Sequence, residues 1–573
     1  MNKFRPLILT VAIVLSALLS YGLFTLPKPK TADAEGFSSA RVVKDIEVIS
    51  KEHHSVAHPE ERKLVREYLV ERLKGLGADT VQIFSYDSLV GPKNKHVEYT
   101  FDAYDILAEY QPLKASEDTT YLMFIAHYDS RYSQPFARDT VWSYGAADDG
   151  YGLGITLETV SQLMKQREHW NQGVKVLFTD AEEVGMMGMT AIWENDRQEF
   201  DNVGLVINIE ARGPWGPALL FEACPGNKKV LDLYASAAKY PYTYSLTTVV
   251  YQFMPNFTDF TIIKDEVPGL NFSTITDVNR YHTHFDNFSN VSEKSIQHYG
   301  EQILPVALKY VKSEEFSDKN ALKADSDATN FTIPAIGLLN FSKTGFMIFN
   351  VAVFLIFLLL FGLEGVRGRI KAAKVFKVSC VALGSALGFL ALGELVAFVC
   401  GKIAGVQFKP FGIMQGIMFD NAAMIVSMVV MTLVCVIVYV AGRTKLVRAV
   451  SGSMRASAII NAATHNAYNI LYGVLVLVFV LSIVLLLSIG ETLMFLIPLC
   501  CATVAMILYH LTNLRVWLPV AIVLILLHAF SFYYALAMAL TIGALGAVMM
   551  LAFFDIMVII PLADLYLMPV RKK

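Results

Sequence analysis

Hydrophobic and polar positions divide the chain into three parts. An uncharged apolar run fills residues 6–24, polar and apolar residues mix from about 28 to 343, and long apolar runs fill the rest. A run of roughly 20 apolar residues can cross a bilayer as a helix. The pattern therefore predicts an N-terminal transmembrane anchor at 1–27, a domain outside the bilayer at 28–343, and an all-α polytopic membrane domain at 344–573.

The number of membrane spans follows from the apolar runs. The first run also fits a cleaved signal peptide, but no small-residue cleavage site directly follows it, which favours an uncleaved anchor. The last run continues to about 566 and includes two aspartates, so a ninth span or an interfacial helix is an alternative there. With the anchor, eight spans are predicted, and the other seven lie near 345–364, 378–400, 421–441, 467–489, 491–512, 516–535 and 537–560.

Basic residues concentrate in alternate connections of the membrane domain. The stretch RGRIKAAKVFK follows the first of the seven spans, RTKLVRAVSGSMR follows the third, and the chain ends in PVRKK. The positive-inside rule assigns these segments and both termini to the cytoplasm. The expectation is a multi-pass protein with an extracytoplasmic 28–343 domain, in a bacterial cell membrane or alternatively in a vacuolar or endoplasmic reticulum membrane.

Composition narrows the class of protein. Hydrophobic residues make up 54% of the 573 residues, which is too many for a soluble protein of this length. The net charge of −3 gives no reason to invoke nucleic acid. Only Cys224 of the six cysteines lies within 28–343, so this domain is not a disulfide scaffold.

Within 28–343, strand-like and helix-like segments alternate. The strand-like runs include YLMFIAHY, KVLFTD and VGLVINIEA, and the helix-like runs include GLGITLETVSQLMKQ and EKSIQHYGEQILPVALKYVK. Such alternation predicts an α/β fold in which helices cover both faces of a sheet, a three-layer α/β/α sandwich. Active sites of such sheets lie outside the carboxyl ends of the strands.

Polar side chains collect at those predicted strand ends. Two histidines, several carboxylates and no cysteine form a ligand set for a hard to intermediate metal ion. The carboxylates exceed the need of one ion, which fits two metals bridged by one carboxylate. One of two adjacent glutamates could then bind a metal while the other faces the reacting water. The residues are His127, Asp129, Asp148, Asp149, Glu182, Glu183, Glu210 and the segment 281–286, YHTHFD.

Each signal alone has an ordinary structural explanation. A histidine two residues before an aspartate is common, Asp-Asp-Gly is usually a turn, and two glutamates often begin a solvated helix, where they favour the positive end of its dipole. The segment YHTHFD alone is equally compatible with structure and with function. The fifth signal, Glu210 after the apolar run VGLVINI, is less ordinary, because a strand end in a core rarely offers a carboxylate a partner. The occurrence of all five signals in order favours a metal site.

Five segments resemble the ordered motifs of a known family. AHYDS, GAADDGYG, FTDAEEVGMMG, INIEARG and YHTHFDN are similar to motifs of the di-zinc aminopeptidases that share a fold with glutamate carboxypeptidase and the transferrin receptor. The membrane branch of that family, called vacuolar membrane protease or endoplasmic reticulum metallopeptidase, has the same order of anchor, ectodomain and polytopic tail. The resemblance covers residues 40–315 closely and implies a zinc exopeptidase fold with a mixed sheet.

The resemblance also implies a ligand set for two Zn²⁺ ions. His127 and Glu183 would hold the first zinc. Glu210 and His282 would hold the second. Asp148 would bridge both ions.

Further roles are implied for neighbouring residues. Glu182 would be the general base, and Asp129 would orient His127. Asp149 would follow the bridging aspartate at a strained peptide bond. His284 is the alternative to His282 as a ligand, but the Tyr-His-Thr context favours His282.

The expected activity is removal of amino-terminal residues from peptides by an enzyme anchored in the lipid bilayer. The sequence does not indicate an oligomeric state. One alternative is a single-zinc enzyme similar to glutaminyl cyclase. A second is a non-catalytic receptor-type domain, although such relatives lose ligands and this chain retains them. A third places the function in the membrane half, where Glu394 is the most notable charge.

Overall fold

The computed structural model describes residues 4–23, 26–91, 100–131, 142–252, 254, 256–406, 419–451 and 456–568. The chain forms two compact units. The first, here called the sheet unit, contains Phe24–Thr332 and Gly337–Lys343. The second, the helical unit, contains Met1–Leu23, Ile333–Ile336 and Thr344–Lys573.

Helices and strands are numbered in chain order. The strands are β1 (Thr80–Val90), β2 (Thr100–Tyr110), β3 (Tyr121–His127), β4 (Gly173–Thr179), β5 (Val203–Ala211), β6 (Trp215–Ala223), β7 (Gly269–Thr276), β8 (Thr329–Ile333) and β9 (Gly337–Phe341). The helices of the sheet unit are α2 (Ser39–Ile49), α3 (Pro59–Gly75), α4 (Gly150–Met164), α5 (Met187–Asn195), α6 (Lys228–Ala237), α7 (Ser245–Gln252), α8 (Asp259–Ile263) and α9 (Glu293–Lys312). Those of the helical unit are α1 (Arg5–Leu23), α10 (Lys343–Val366), α11 (Ala372–Ala404), α12 (Asn421–Ser451), α13 (Ala456–Ser488), α14 (Leu493–Thr512), α15 (Trp517–Leu540) and α16 (Leu545–Leu567).

Seven strands form a mixed sheet in the order β1-β2-β4-β3-β5-β7-β6. The central strands β4, β3, β5 and β7 are parallel. At the edges, β2 pairs antiparallel with β4, β6 pairs antiparallel with β7, and β1 pairs antiparallel with β2. Helices α4 and α9 pack against one another and against β3, and α5 and α8 form a second packed pair on β1, β2 and β3. The predicted α/β fold with a mixed, helix-covered sheet is confirmed.

The central strands owe their position to their composition. Every residue of β3, β4 and β5 is buried, and their sequences YLMFIAH, GVKVLFT and VGLVINIEA are almost continuously apolar. A strand that is covered by helices on both faces has such a continuous apolar sequence, because neither face is exposed to water. The strands are parallel, so their carboxyl ends lie at one edge of the sheet and bring the residues that follow them together.

Strand β6 and helices α7 and α8 do not appear among the predicted elements. The β6 sequence WGPALLFEA begins with a glycine and a proline, which usually interrupt strands. Gly216 adopts the left-handed conformation at φ 91°, and the pairing of β6 with β7 shifts register beside it. The strand forms because this edge position tolerates the interruption.

Eight helices in the described part of the chain are long and apolar enough to cross a membrane. They include all seven runs predicted in the second half, and α16 continues unbroken through the last apolar stretch, so that stretch adds no ninth span there. The chain is therefore a multi-pass membrane protein. The candidate spans are Arg5–Gly22, Lys343–Val366, Ala372–Ala404, Asn421–Ala441, Ala463–Ser488, Leu493–Thr512, Trp517–Leu540 and Ile542–Leu567.

Candidate metal centre

The predicted site residues meet at the carboxyl edge of the parallel strands. His127 is the last residue of β3, and Glu210 is the penultimate residue of the neighbouring strand β5. The remaining donors come from connecting segments: Asp148 from the loop before α4, Glu182 and Glu183 from a 3-10 helix after β4, and His282 from the loop after β7.

Asp148 lies between two sets of donors. Its Oδ1 is 3.3 Å from Nε2 of His127, and its Oδ2 is 3.2 Å from Nε2 of His282. Glu210 Oε2 lies 3.8 Å from the same His127 nitrogen, and Glu183 Oε2 lies 3.1 Å from the His282 nitrogen. We call His127, Asp148 and Glu210 the strand-end group, and Asp148, Glu183 and His282 the loop group. In each group the donor atoms lie within 4.8 Å of one another.

This grouping corrects the expected assignment of ligands to the two metals. His127 lies with Glu210 rather than with Glu183, and Glu183 lies with His282. His127 and Glu210 lie at the ends of the paired strands β3 and β5, whereas Glu183 lies in the segment beyond the end of β4, where its Oε2 is 3.1 Å from Nε2 of His282. Asp148 shares its two oxygens between the groups, as expected of a bridging ligand.

The donor atoms suit a divalent cation such as zinc. Imidazole nitrogens and carboxylate oxygens are the usual ligands of zinc in catalytic sites, where three protein side chains bind each ion. Oε1 of Glu183 is buried and makes no hydrogen bond within the described part of the chain. A buried oxygen without a partner is costly, and a bound cation would satisfy it. The residues present therefore fit a divalent metal ion such as zinc.

Electrostatics also favour a cation here. Burial opposes ionisation of Asp148, but the neighbouring His127 and His282 hold the pKa of this carboxyl below its usual range. Burial raises the pKa of Glu210 to about 8, and the charge on Asp148 adds to the increase while His127 opposes it. Burial likewise raises the pKa of Glu182 well above its usual range. Crowded carboxyl groups ionise together only when positive charge compensates them.

Asp129 braces two parts of the site at once. The backbone carbonyl of Asp129 lies 2.9 Å from Nδ1 of His127, which leaves Nε2 directed at Asp148. The buried Asp129 carboxylate accepts hydrogen bonds from the backbone N–H of Glu182, at 2.9 Å, and of Glu183, at 3.2 Å. The contact with the glutamate pair did not follow from the sequence, because it joins two loops that are 53 residues apart.

Asp149 is the residue that precedes and caps helix α4. The peptide bond between Asp148 and Asp149 is cis. The Asp149 carboxylate caps the helix by accepting the backbone N–H of Gly152 at 2.9 Å. A Cβ atom at Gly152 would lie 2.1 Å from Oδ2 of Asp149, so glycine is required for this close approach.

The histidine segment after β7 presents one of its two imidazoles to the site. His282 adopts a left-handed backbone at φ 59° and faces Asp148 and Glu183. His284 is exposed and lies against the ring of Phe285. Left-handed conformations at non-glycine residues are strained and concentrate at functional sites.

Asp286, four residues further on, holds the loop that carries Asp148. Its carboxylate accepts the backbone N–H groups of Ala147 at 2.7 Å and Asp148 at 3.2 Å, and the hydroxyl of Ser143 at 3.1 Å. The sequence marked the segment YHTHFD as a candidate for function. It did not predict that Asp286 holds the Asp148 loop, because the two loops are far apart in the chain.

Two further residues near the site were missed in the sequence. Asp259, the first residue of α8, is buried and accepts a hydrogen bond from the Thr179 hydroxyl at the end of β4. Burial raises the pKa of Asp259 to about 6. Arg131 donates to the backbone carbonyl of Glu183 and lies 3.2 Å from its Oε2. Arg131 directly follows the segment AHYDS, which is the signal that could have identified it.

The site combines histidine and carboxylate donors that could hold metal ions. Residues 105–307 match the sequence model of peptidase family M28. A mouse relative, endoplasmic reticulum metallopeptidase 1, is 26% identical over 326 residues, which cover 53% of this chain and 34% of the relative. A vacuolar membrane protease from Lodderomyces elongisporus is 25% identical over 44% of this chain and 26% of its own length. The chain thus spans about a third or less of these curated relatives.

Two solved structures with similar chains each cover about half of this chain. A glutaminyl cyclase from Porphyromonas gingivalis superposes with a TM-score of 0.39 at 19% identity, over 48% of this chain and 98% of the other. A Zn-dependent exopeptidase from Parabacteroides distasonis gives a TM-score of 0.37 at 17% identity, over 48% of this chain and 98% of the other.

Proposed function

We propose that the sheet unit is a two-zinc aminopeptidase, in which the strand-end group and the loop group each hold one ion and Asp148 bridges them. The observation that carries the proposal is the placement of Asp148: each of its two oxygens faces a different histidine, at 3.3 Å and 3.2 Å. A one-metal site would leave Glu183 and His282 without a reason to converge on the same aspartate.

The chain's own residues supply the proton transfers of peptide hydrolysis. Zinc, when bound, acts as a Lewis acid towards water and towards the peptide carbonyl. Glu182 adjoins the loop group but belongs to neither group, so its carboxylate is available to take a proton from the attacking water. The protonated Glu182 then donates that proton to the leaving amine nitrogen. Asp129 holds the backbone of Glu182 in place during both transfers.

Negative charge in the site favours a substrate with a free amino terminus. Seven carboxyl groups lie in or beside the two donor groups, more than the five positive charges that two zinc ions and Arg131 would supply. A surplus of one sign of charge attracts ligands of the opposite sign, and the α-ammonium group of a peptide meets that need. The carboxyl groups are Asp129, Asp148, Asp149, Glu182, Glu183, Glu210 and Asp259.

The presence of the loop group favours a two-zinc hydrolase over a single-zinc glutaminyl cyclase. A single-zinc enzyme needs only one set of three ligands. Here a second set of buried or nearly buried donors is complete among the described residues. The same completeness argues against a non-catalytic receptor-type domain.

A panel of fluorogenic aminoacyl amides tests the activity with the full chain in lipid nanodiscs. We expect cleavage of substrates with a free α-amine, no cleavage of their N-acetylated counterparts, loss of cleavage with a chelator and recovery on adding zinc. Cyclisation of glutaminyl peptides without amide hydrolysis would support the cyclase instead. Cleavage that persists in a chelator would contradict any zinc-dependent function.

The orientation proposed from the basic loops places the sheet unit outside the cytoplasm. Glu168 in the sheet unit has 72% of its side chain exposed, so a Glu168→Cys variant offers an accessible thiol. An impermeant thiol reagent should label that variant in intact cells. Labelling only after lysis would reverse the orientation.

A further inference from the structure

The helical unit contains a cleft of about 760 Å³ between α11, α12, α13 and α16. Most of its lining is apolar and includes Val381 and Leu392 of α11, Val438 of α12, Ile470 of α13 and Phe553 of α16. Water-soluble ligands gain little from such walls, because they offer few hydrogen-bonding groups. The lining suits a hydrocarbon chain.

Positive charge lies at one end of this cleft. Lys374 and Lys377 both line it and both belong to the first two turns of α11. Neither lysine forms an ion pair with any carboxylate in the part of the chain that the structure describes. The N-terminal end of the helix dipole adds positive potential at the same place.

The start of α11 is fixed against α13. The backbone N–H of Lys371 donates to Oδ1 of Asn469 at 2.9 Å, and Asn469 itself lines the cleft. The Tyr439 hydroxyl, also in the lining, donates to Asp564 at 2.8 Å and so joins α12 to α16. The polar end of the cleft is therefore held by contacts between the helices that form it.

The dimensions fit one lipid chain. The lining residues of α11 extend from Lys374 to Leu392, roughly 27 Å along the helix at the usual rise per residue. The apolar part, from Val378 to Leu392, spans roughly 21 Å, which is more than the roughly 15 Å depth of one leaflet of the hydrocarbon core. An acyl chain can thus lie along the cleft while its head group stays at the lysine end.

We propose that this cleft is a binding site for an anionic phospholipid, with the phosphate between Lys374 and Lys377 and one acyl chain along the apolar wall. Basic pockets between membrane helices bind anionic lipid head groups in this way. A cationic amphiphile would be repelled by the two lysines, and a zwitterionic lipid would gain less from them. The proposal does not depend on the peptidase activity of the sheet unit.

Native mass spectrometry of the full chain released from nanodiscs tests the proposal. The nanodiscs contain phosphatidylcholine with or without phosphatidylglycerol, and the readout is the phosphatidylglycerol retained per chain. Loss of each lysine is expected to weaken retention about fivefold, so Lys374→Gln with Lys377→Gln should weaken it about 25-fold or more. Lys402→Gln, at the opposite end of α11 and outside the lining, is the matched control.

Two glycines of α11 provide a steric test. A Cβ atom at either Gly384 or Gly388 meets nothing within 4 Å, but only Gly388 lines the cleft. Gly388→Trp should fill the cleft and reduce retained phosphatidylglycerol at least fivefold, whereas Gly384→Trp should leave it unchanged.

Equal retention of phosphatidylglycerol by the wild type, the lysine variant and Gly388→Trp would overturn the proposal. Equal retention of phosphatidylcholine and phosphatidylglycerol by the wild type would also overturn it, because the lysines would then select nothing. A dimer that forms in the wild type and is lost in Gly388→Trp would show that a helix of a second copy occupies the cleft instead. The lysine variant keeps the test decisive if the tryptophan variant does not fold.

Discussion

The two donor groups of the metal centre are built in different ways. In the strand-end group, His127 and Glu210 belong to adjacent, fully buried strands, and the side chain of His127 is only 1% exposed. In the loop group, Glu183 and His282 come from connecting segments, and His282 is 12% exposed on a left-handed backbone. The sheet itself positions the first group, whereas the second depends on hydrogen bonds between loops.

This difference explains where the bracing contacts lie. Asp129 binds the backbone of Glu183, and Arg131 contacts the carbonyl and carboxylate of the same residue. Asp286 holds the loop of Asp148, the residue that the groups share. A ligand on a strand is positioned by the sheet as well as by side-chain contacts, whereas a ligand on a loop depends on contacts with other loops.

The largest effect is expected from Glu182→Gln, which removes the proposed base and leaves both donor groups intact. Peptidase turnover should fall about 10³-fold, within the range for general base catalysis, while zinc content stays at the wild-type level. Glu168→Gln, a substitution at an exposed glutamate, is the matched control. Loss of zinc from Glu182→Gln would show that this residue is a ligand.

The histidines test the comparison directly. His127→Ala and His282→Ala should each release about one zinc per chain and reduce turnover more than about 100-fold, because even outer partners of metal ligands cost 10–100-fold. Without metal, only His127→Ala should lower the thermal unfolding midpoint by several degrees, since it leaves a cavity at the end of a core strand. Equal midpoints for the two metal-free variants would remove the distinction between the groups.

Asp129→Asn tests the brace of the loop group. The amide oxygen can accept one backbone N–H, but the amide nitrogen faces the other and cannot accept it. Zinc affinity should fall 10–100-fold, with the weaker of two titration steps affected more. A uniform loss across both steps in a zinc titration would indicate that Asp129 acts mainly through His127.

The smallest effect is expected from Asp286→Asn, which touches no donor atom. One of the three groups that now donate to Asp286 would lose its acceptor, at a cost of about 1–3 kcal/mol in stability. Turnover should change less than tenfold while the unfolding midpoint falls. Ser143→Ala, which removes a single one of these hydrogen bonds, should lower the midpoint less. A larger loss from Ser143→Ala would contradict the assigned role of Asp286.

Sequence patterns predicted the parts of the molecule that local composition determines. Strands β3, β4 and β5 are continuous apolar runs, and the ligands at or after their ends follow from parallel pairing. Which donors lie together did not follow, because chain order does not show how the segments beyond the strand ends meet. Asp259 was missed because it begins a five-residue helix instead of ending a strand. Strand β6 was missed because a glycine and a proline near its start are residues that usually interrupt strands.

The zinc content of the purified full chain, measured by elemental analysis after removal of loosely bound metal, tests the two-group site most directly. The account predicts about two zinc ions per chain, falling to about one in both His127→Ala and His282→Ala. One ion in the wild type, unchanged in His282→Ala, would contradict it by showing that the loop group binds no metal.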